Sequence, residues 1–109
     1  MSIITATPNS SQLSVNLTGV TTPTIQNVTL ATAGTEYTIT LPANTERFKI
    51  RVRGSSKLQI AYTSGQTGTN YISIYPGACY EEAALDIASL SIYVQASKSG
   101  ETLEIVSWV

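Results

Sequence analysis

The chain has 109 residues, 12% of them charged, and a net charge of −1: enough length for one domain with a single core, and no global field to draw it to nucleic acid or an acidic membrane. It has no histidine and one cysteine, Cys79, so the commonest general base, the commonest metal ligand and any internal disulfide are all missing. Ser and Thr supply more than a quarter of the residues while helix formers are sparse, the composition of an all-β domain with a hydroxyl-covered surface.

Met1 to Gln12 is small and polar around Pro8 and Asn9. It reads either as a frayed terminus or as an extended arm that orders on a neighbouring subunit. Residues 1–12 are therefore taken as a flexible N-terminal arm and residues 13–109 as a single β-sandwich domain. The start lacks a basic n-region and a continuous apolar h-region, so no signal peptide is expected. No apolar run is long enough to span a bilayer as a helix.

Leu13, Val15 and Leu17 alternate with Ser14 and Asn16, a short strand closed by Gly19. Ile25 to Thr32 is a second strand with Val28 and Leu30 inward. Tyr37, Ile39 and Leu41 then alternate with Glu36, Thr38 and Thr40 until Pro42-Ala43-Asn44 closes the run.

Glu46 to Arg53 carries the sharpest pattern in the chain. Phe48, Ile50 and Val52 fall on one face; Arg47, Lys49, Arg51 and Arg53, four of the six cations, fall on the other. This predicts a central, half-buried strand. Alternate side chains on a strand sit roughly 7 Å apart, where two like charges repel by about 0.6 kcal/mol in water before screening. The row is therefore tolerable as a solvated face. It could also pair across the sheet with Glu36, Glu101 or Glu104, or dock onto an acidic protein surface. Polynucleotide binding would want aromatics among the cations, and Phe48 lies on the opposite face, so no nucleic-acid partner is expected.

Gly54-Ser55-Ser56 has the composition of a hairpin loop leading into Lys57 to Thr63, with Leu58, Ile60 and Tyr62 inward. A glycine-rich loop, Ser64 to Thr69, precedes Tyr71 to Tyr75, where Ile72 and Ile74 oppose Tyr71, Ser73 and Tyr75. Pro76-Gly77 turns the chain. Ala78 to Ala88 reads as an irregular strand or a crossing between strands. Leu90, Ile92 and Val94, then Leu103 and Ile105, mark two last strands, the latter with Glu104, Val106 and Trp108 on its other face. About eight short strands with turn signals every ten residues or so predict an antiparallel β-sandwich, jelly-roll-like.

Catalytic constellations are missing. Glu81, Glu82 and Asp86 offer oxygen ligands but lack the loop spacing of a calcium motif. Cys79 has no histidine to activate it, and Ser64 to Gly68 lacks the Lys and following helix of a phosphate loop. No enzyme activity, cofactor or metal is expected. Tyr71, Tyr75 and Tyr93 lie opposite the aliphatic stripe of their strands; they either complete the other side of the sandwich or, if exposed, suit a protein interface or a sugar platform.

Phe48-Lys49-Ile50-Arg51-Val52-Arg53-Gly54, Leu58 to Gly65, Tyr71-Ile72-Ser73-Ile74 with Pro76-Gly77-Ala78, Ile92-Tyr93-Val94-Gln95 and Glu104 to Trp108 together resemble small β-rich virion proteins of tailed bacteriophages. Met1 to Asn44 lies outside the resemblance. The resemblance implies a structural virion role, such as a capsid decoration (cement) protein made in the host cytoplasm and bound to the capsid surface. Its partner would be the major capsid protein and its state a homo-oligomer, a homotrimer by expectation. The residues expected at the interface are Arg47, Lys49, Arg51, Arg53, Tyr71 and Tyr75. The alternative from another class is a carbohydrate- or receptor-binding β-domain of a tail or head fibre, with Tyr71, Tyr75 and Trp108 as its platform.

Overall fold

The computed structural model describes residues 22–109. The expectations for the 1–12 arm and for a strand at 13–17 lie outside the described residues. Within them the chain is all-β: β1 (Thr24–Leu30), β2 (Tyr37–Thr40), β3 (Arg47–Arg53), β4 (Leu58–Ala61), β5 (Ile72–Ile74), β6 (Tyr80–Glu82), β7 (Ser91–Ala96) and β8 (Glu101–Trp108). They form two four-stranded antiparallel sheets, ordered β1-β8-β3-β6 and β2-β7-β4-β5.

The order has a simple logic. β1 pairs with β8, β2 with β7, β3 with β6 and β4 with β5. This is one long antiparallel ribbon folded at the β4–β5 loop and rolled so that its successive rungs fall alternately in two sheets. The rolled ribbon is a jelly roll, a β-sandwich that buries one face of each sheet against the other.

The core follows the period-two pattern. Phe48 and Ile50 of β3, Leu103 and Ile105 of β8 and Leu30 of β1 face Ile39, Ile92, Val94, Leu58 and Ile60 from the second sheet, all of them buried. Val28 is half-buried against that cluster. β3 sits between β8 and β6, an interior strand as its pattern predicts.

Three details differ from the sequence reading. Gly54-Ser55-Ser56 is not a hairpin: β3 and β4 lie in opposite sheets, so the segment is a crossing, and Gly54 takes φ +111° to make it. Tyr62 lies beyond the end of β4 and is 42% exposed rather than inward. Ile72 likewise stays exposed, at the loop end of β5, a three-residue strand at the edge of its sheet.

Candidate functional site

The outer face of the β1-β8-β3-β6 sheet carries the basic row. Register sets its neighbours: Arg47 lies opposite Trp108, Lys49 opposite Val106, Arg51 opposite Glu104 and Arg53 opposite Thr102, with Glu81 of β6 flanking Lys49 on the other side. On the far side of β8, Ile25 stands beside Val106 and Asn27 beside Glu104. Cations, one indole and exposed aliphatic groups thus share one sheet surface. Ile25 is 71% exposed.

The cations are held in place by carboxylates. Glu104 accepts from Arg51 Nε–H at 2.7 Å with one oxygen and from Arg53 Nε–H at 2.8 Å with the other. The hydrogen bond from Arg51, then that from Arg53, holds the Glu104 carboxyl below the usual carboxylate range, and the same bond raises the pKa of Arg51. Arg47 donates its Nε–H to Glu81 at 2.6 Å and stacks over Trp108, with 4.4 Å from its guanidinium carbon to the ring centroid. Four cations against two carboxylates leave this face net positive on a chain that is net negative.

Pairing does not bury the arginines. The side chains of Arg51 and Arg53 remain 61% and 57% exposed, so their guanidinium groups are oriented yet accessible. A concavity of about 450 Å³ runs along the face between Ile25 and Arg53 and reaches the exposed Cys79. Ion pairs as exposed as Arg47–Glu81 contribute roughly 0–1 kcal/mol, so they act chiefly by fixing rotamers.

Of the three glutamates expected to pair with the row, only Glu104 does. Glu36 belongs to the other sheet's surface, where its carboxylate accepts from the Gly65 N–H at 2.9 Å and the Thr67 hydroxyl at 2.9 Å. Those bonds, the Gly65 N–H first, lower its pKa. Glu101 packs against Gly54, and its buried Oε1 has no hydrogen-bond partner among the described residues.

Glu81, which the sequence offered only as one of three carboxylate oxygen donors with Glu82 and Asp86, is the partner of Arg47 on β6. The signal was the strand rather than the loop: once β6 pairs with β3, Glu81 falls opposite Lys49 on the basic face and Glu82 opposite Phe48. Glu82 accepts from the Tyr80 hydroxyl, which in turn lies 2.9 Å from the Tyr62 hydroxyl. Burial first, and these bonds next, push the Tyr80 phenol upward. Burial also raises Tyr62.

Tyr71 and Tyr75 are exposed at 41% and 63%, but they flank β5 at the edge of the other sheet. They do not join the basic row, nor do they form one platform with Trp108, which belongs to β8. Tyr75 instead carries the Lys57 ammonium 5.9 Å from its ring centroid.

No family model matches the chain, and no curated protein matches it. Among solved structures it is similar to one described as "Solution NMR structure of a de novo designed double-stranded beta-helix", at 20% identity over 82% of this chain and 100% of that one. The TM-score is 0.47, too low for the likeness to bear on fold or function.

Proposed function

We propose that this chain is a non-enzymatic structural protein of a tailed-bacteriophage virion, a capsid decoration protein that docks on the capsid exterior as a homotrimer. The observation that supports this reading is the outer face of the β1-β8-β3-β6 sheet. Exposed Arg51 and Arg53 stand there in one surface with Trp108 and the exposed Ile25. Arginine and aromatic residues are enriched where proteins meet, and an apolar centre supplies the contact area. Because Glu81 and Glu104 already orient the guanidinium groups, docking would lose little side-chain freedom. The net positive charge of the face suits an acidic patch on a major capsid protein and would favour the correct approach. The sequence resemblance from Glu46 to Trp108 points the same way.

Cryo-electron microscopy of the virion tests the location: density for this jelly roll on the outer shell is expected, and its absence from the shell defeats the reading. Sedimentation of the purified chain at micromolar concentration tests the trimer, and a monomer there argues against it. The double variant Arg51→Gln/Arg53→Gln tests the face, because it removes both cations without setting new carboxylates against Glu104. It should keep the thermal midpoint close to the parent's while losing about tenfold or more in capsid affinity. Undiminished capsid binding would place the docking surface elsewhere.

A further inference from the structure

The loop between β4 and β5, residues 62–71, is the only connection among the described strands that stays within one sheet, and it is fastened at several points. Internal turns shape it: Gln66 N–H donates to Thr63 O at 3.2 Å, and Gln66 O accepts from Thr69 N–H at 3.0 Å and Asn70 N–H at 2.9 Å. Glu36 then ties Gly65 and Thr67 to the sheet. The buried Thr67 hydroxyl, 2.9 Å from Glu36 Oε1 and also 2.9 Å from Gln95 Oε1, shares its proton between them.

The fastened loop leaves a recess of about 230 Å³ above Ile60 and Ala61. Its rim is formed by Tyr62, Thr63, Gln66, Asn70, Tyr71 and Ile72. Tyr62 and Tyr71 are each about two-fifths exposed. The position of Tyr62 is set from below, since its hydroxyl is bonded to Tyr80, itself bonded to Glu82. Two independent hydrogen-bonded devices therefore shape this recess in advance, one through Glu36 and one through Glu82.

We propose that the recess is a binding site for one uncharged sugar residue of a neutral glycan. None of its lining residues carries a formal charge, so an anionic or cationic ligand would enter without a counter-charge. A purely apolar ligand would make no use of the Gln66 and Asn70 amides on the rim. A sugar ring has C–H faces that stack on tyrosine and isoleucine, and hydroxyls that both donate and accept, as the two amides do. Small-molecule sites combine apolar surface, here that of Tyr62, Tyr71 and Ile72, with a few polar groups in a concavity shaped before the ligand arrives. The recess belongs to the β2-β7-β4-β5 sheet and the basic face to the other, so glycan binding and capsid docking are separable.

The test uses the full chain, labelled with nitrogen-15, titrated with the methyl glycosides of glucose, galactose, mannose, N-acetylglucosamine and rhamnose, alongside an array of neutral oligosaccharides. Saturation transfer to at least one glycoside is expected, with the largest shift changes at the Gln66 and Asn70 side-chain amides and the Tyr71 backbone. Tyr71→Ala and Gln66→Ala should each weaken binding about tenfold or more. Glu36→Gln should weaken it too, with the circular dichroism spectrum unchanged. A blank result on both glycosides and array overturns the proposal. So do shift changes centred on Trp108 and Arg47, or affinity unchanged in folded Gln66→Ala. A blank array leaves the capsid reading standing, and absence from the shell leaves this one standing.

Discussion

Gly54 shows how much a single backbone position carries. It turns the chain out of β3 and into the opposite sheet with φ +111°, a region that residues with a Cβ enter only under strain. A Cβ placed there would also clash with Glu101 Oε1. That oxygen is the end of a flexible side chain and can move; the dihedral angle cannot relax without breaking the crossing. Gly54→Ala should therefore lower unfolding free energy by roughly 1–3 kcal/mol in urea titration, and adding Glu101→Ala should recover only a minor part of it. Full recovery would make the clash, not the backbone, the cause. Glu36 makes a prediction of a different kind. Its ionised form accepts from Gly65 and Thr67, so its folded-state pKa lies below the ordinary value. The sign follows: the stabilisation it gives the 62–71 loop is full at and above the ordinary carboxylate pH, and is lost as pH falls through the lowered value. The Gly65 amide resonance should titrate with a midpoint below that of an ordinary glutamate; a midpoint at or above it would mean the carboxylate does not hold the loop.

At the scale of elements, the alternation in Glu46 to Arg53 was legible because a strand has a period of two and a sandwich wets only one face. Phe48, Ile50 and Val52 are buried as that pattern requires. Phe48 has no exposed surface, and its ring lies 6.2 Å from that of Tyr80, centroid to centroid. Phe48→Ala should cost about 3–5 kcal/mol by chemical denaturation, a large share of the roughly 5–15 kcal/mol typical of a domain. A loss below 1 kcal/mol would show that the two sheets close over the gap. What the residues did not reveal was pairing. Nothing in Gly54-Ser55-Ser56 distinguishes a hairpin from a crossing, because both need a glycine and small polar residues. The partner of Arg47 was missed for a related reason. Glu81 sits in a segment with only three strand residues, too few to show a period, and its place on the basic face exists only once β6 lies beside β3. Tyr71 and Tyr75 could be assigned to a strand face but not to an edge, and the edge is what separates them from Trp108.

At the scale of the molecule, the rolled ribbon orders its contacts by distance along the chain. The β4–β5 pair closes a short loop, whereas the β1–β8 pair brings Thr24 opposite Ser107. Loop-closure entropy rises with the length closed, so the pairs nearest the fold of the ribbon are reached at the least entropic cost. Jelly-roll pairing is largely non-local, which places folding in the millisecond-to-second range rather than the microsecond range of helical bundles. The same geometry predicts where the transition state is structured. Ile74 of β5 is buried against the core and belongs to the local pair; Val28 of β1 is half-buried and belongs to the pair that closes last. In stopped-flow chevrons, Ile74→Ala should act mainly on the folding arm, with a φ-value of roughly 0.5 or more. Val28→Ala should act mainly on the unfolding arm, with a φ-value of about 0.3 or less. Ile74→Ala removes buried methyl groups and Val28→Ala removes methyl groups packed against the core, so both should change stability by enough to give a readable ratio. The reverse pattern, a high value at Val28 and a low one at Ile74, would mean that the ribbon closes from its open ends and that chain entropy does not set the order of assembly.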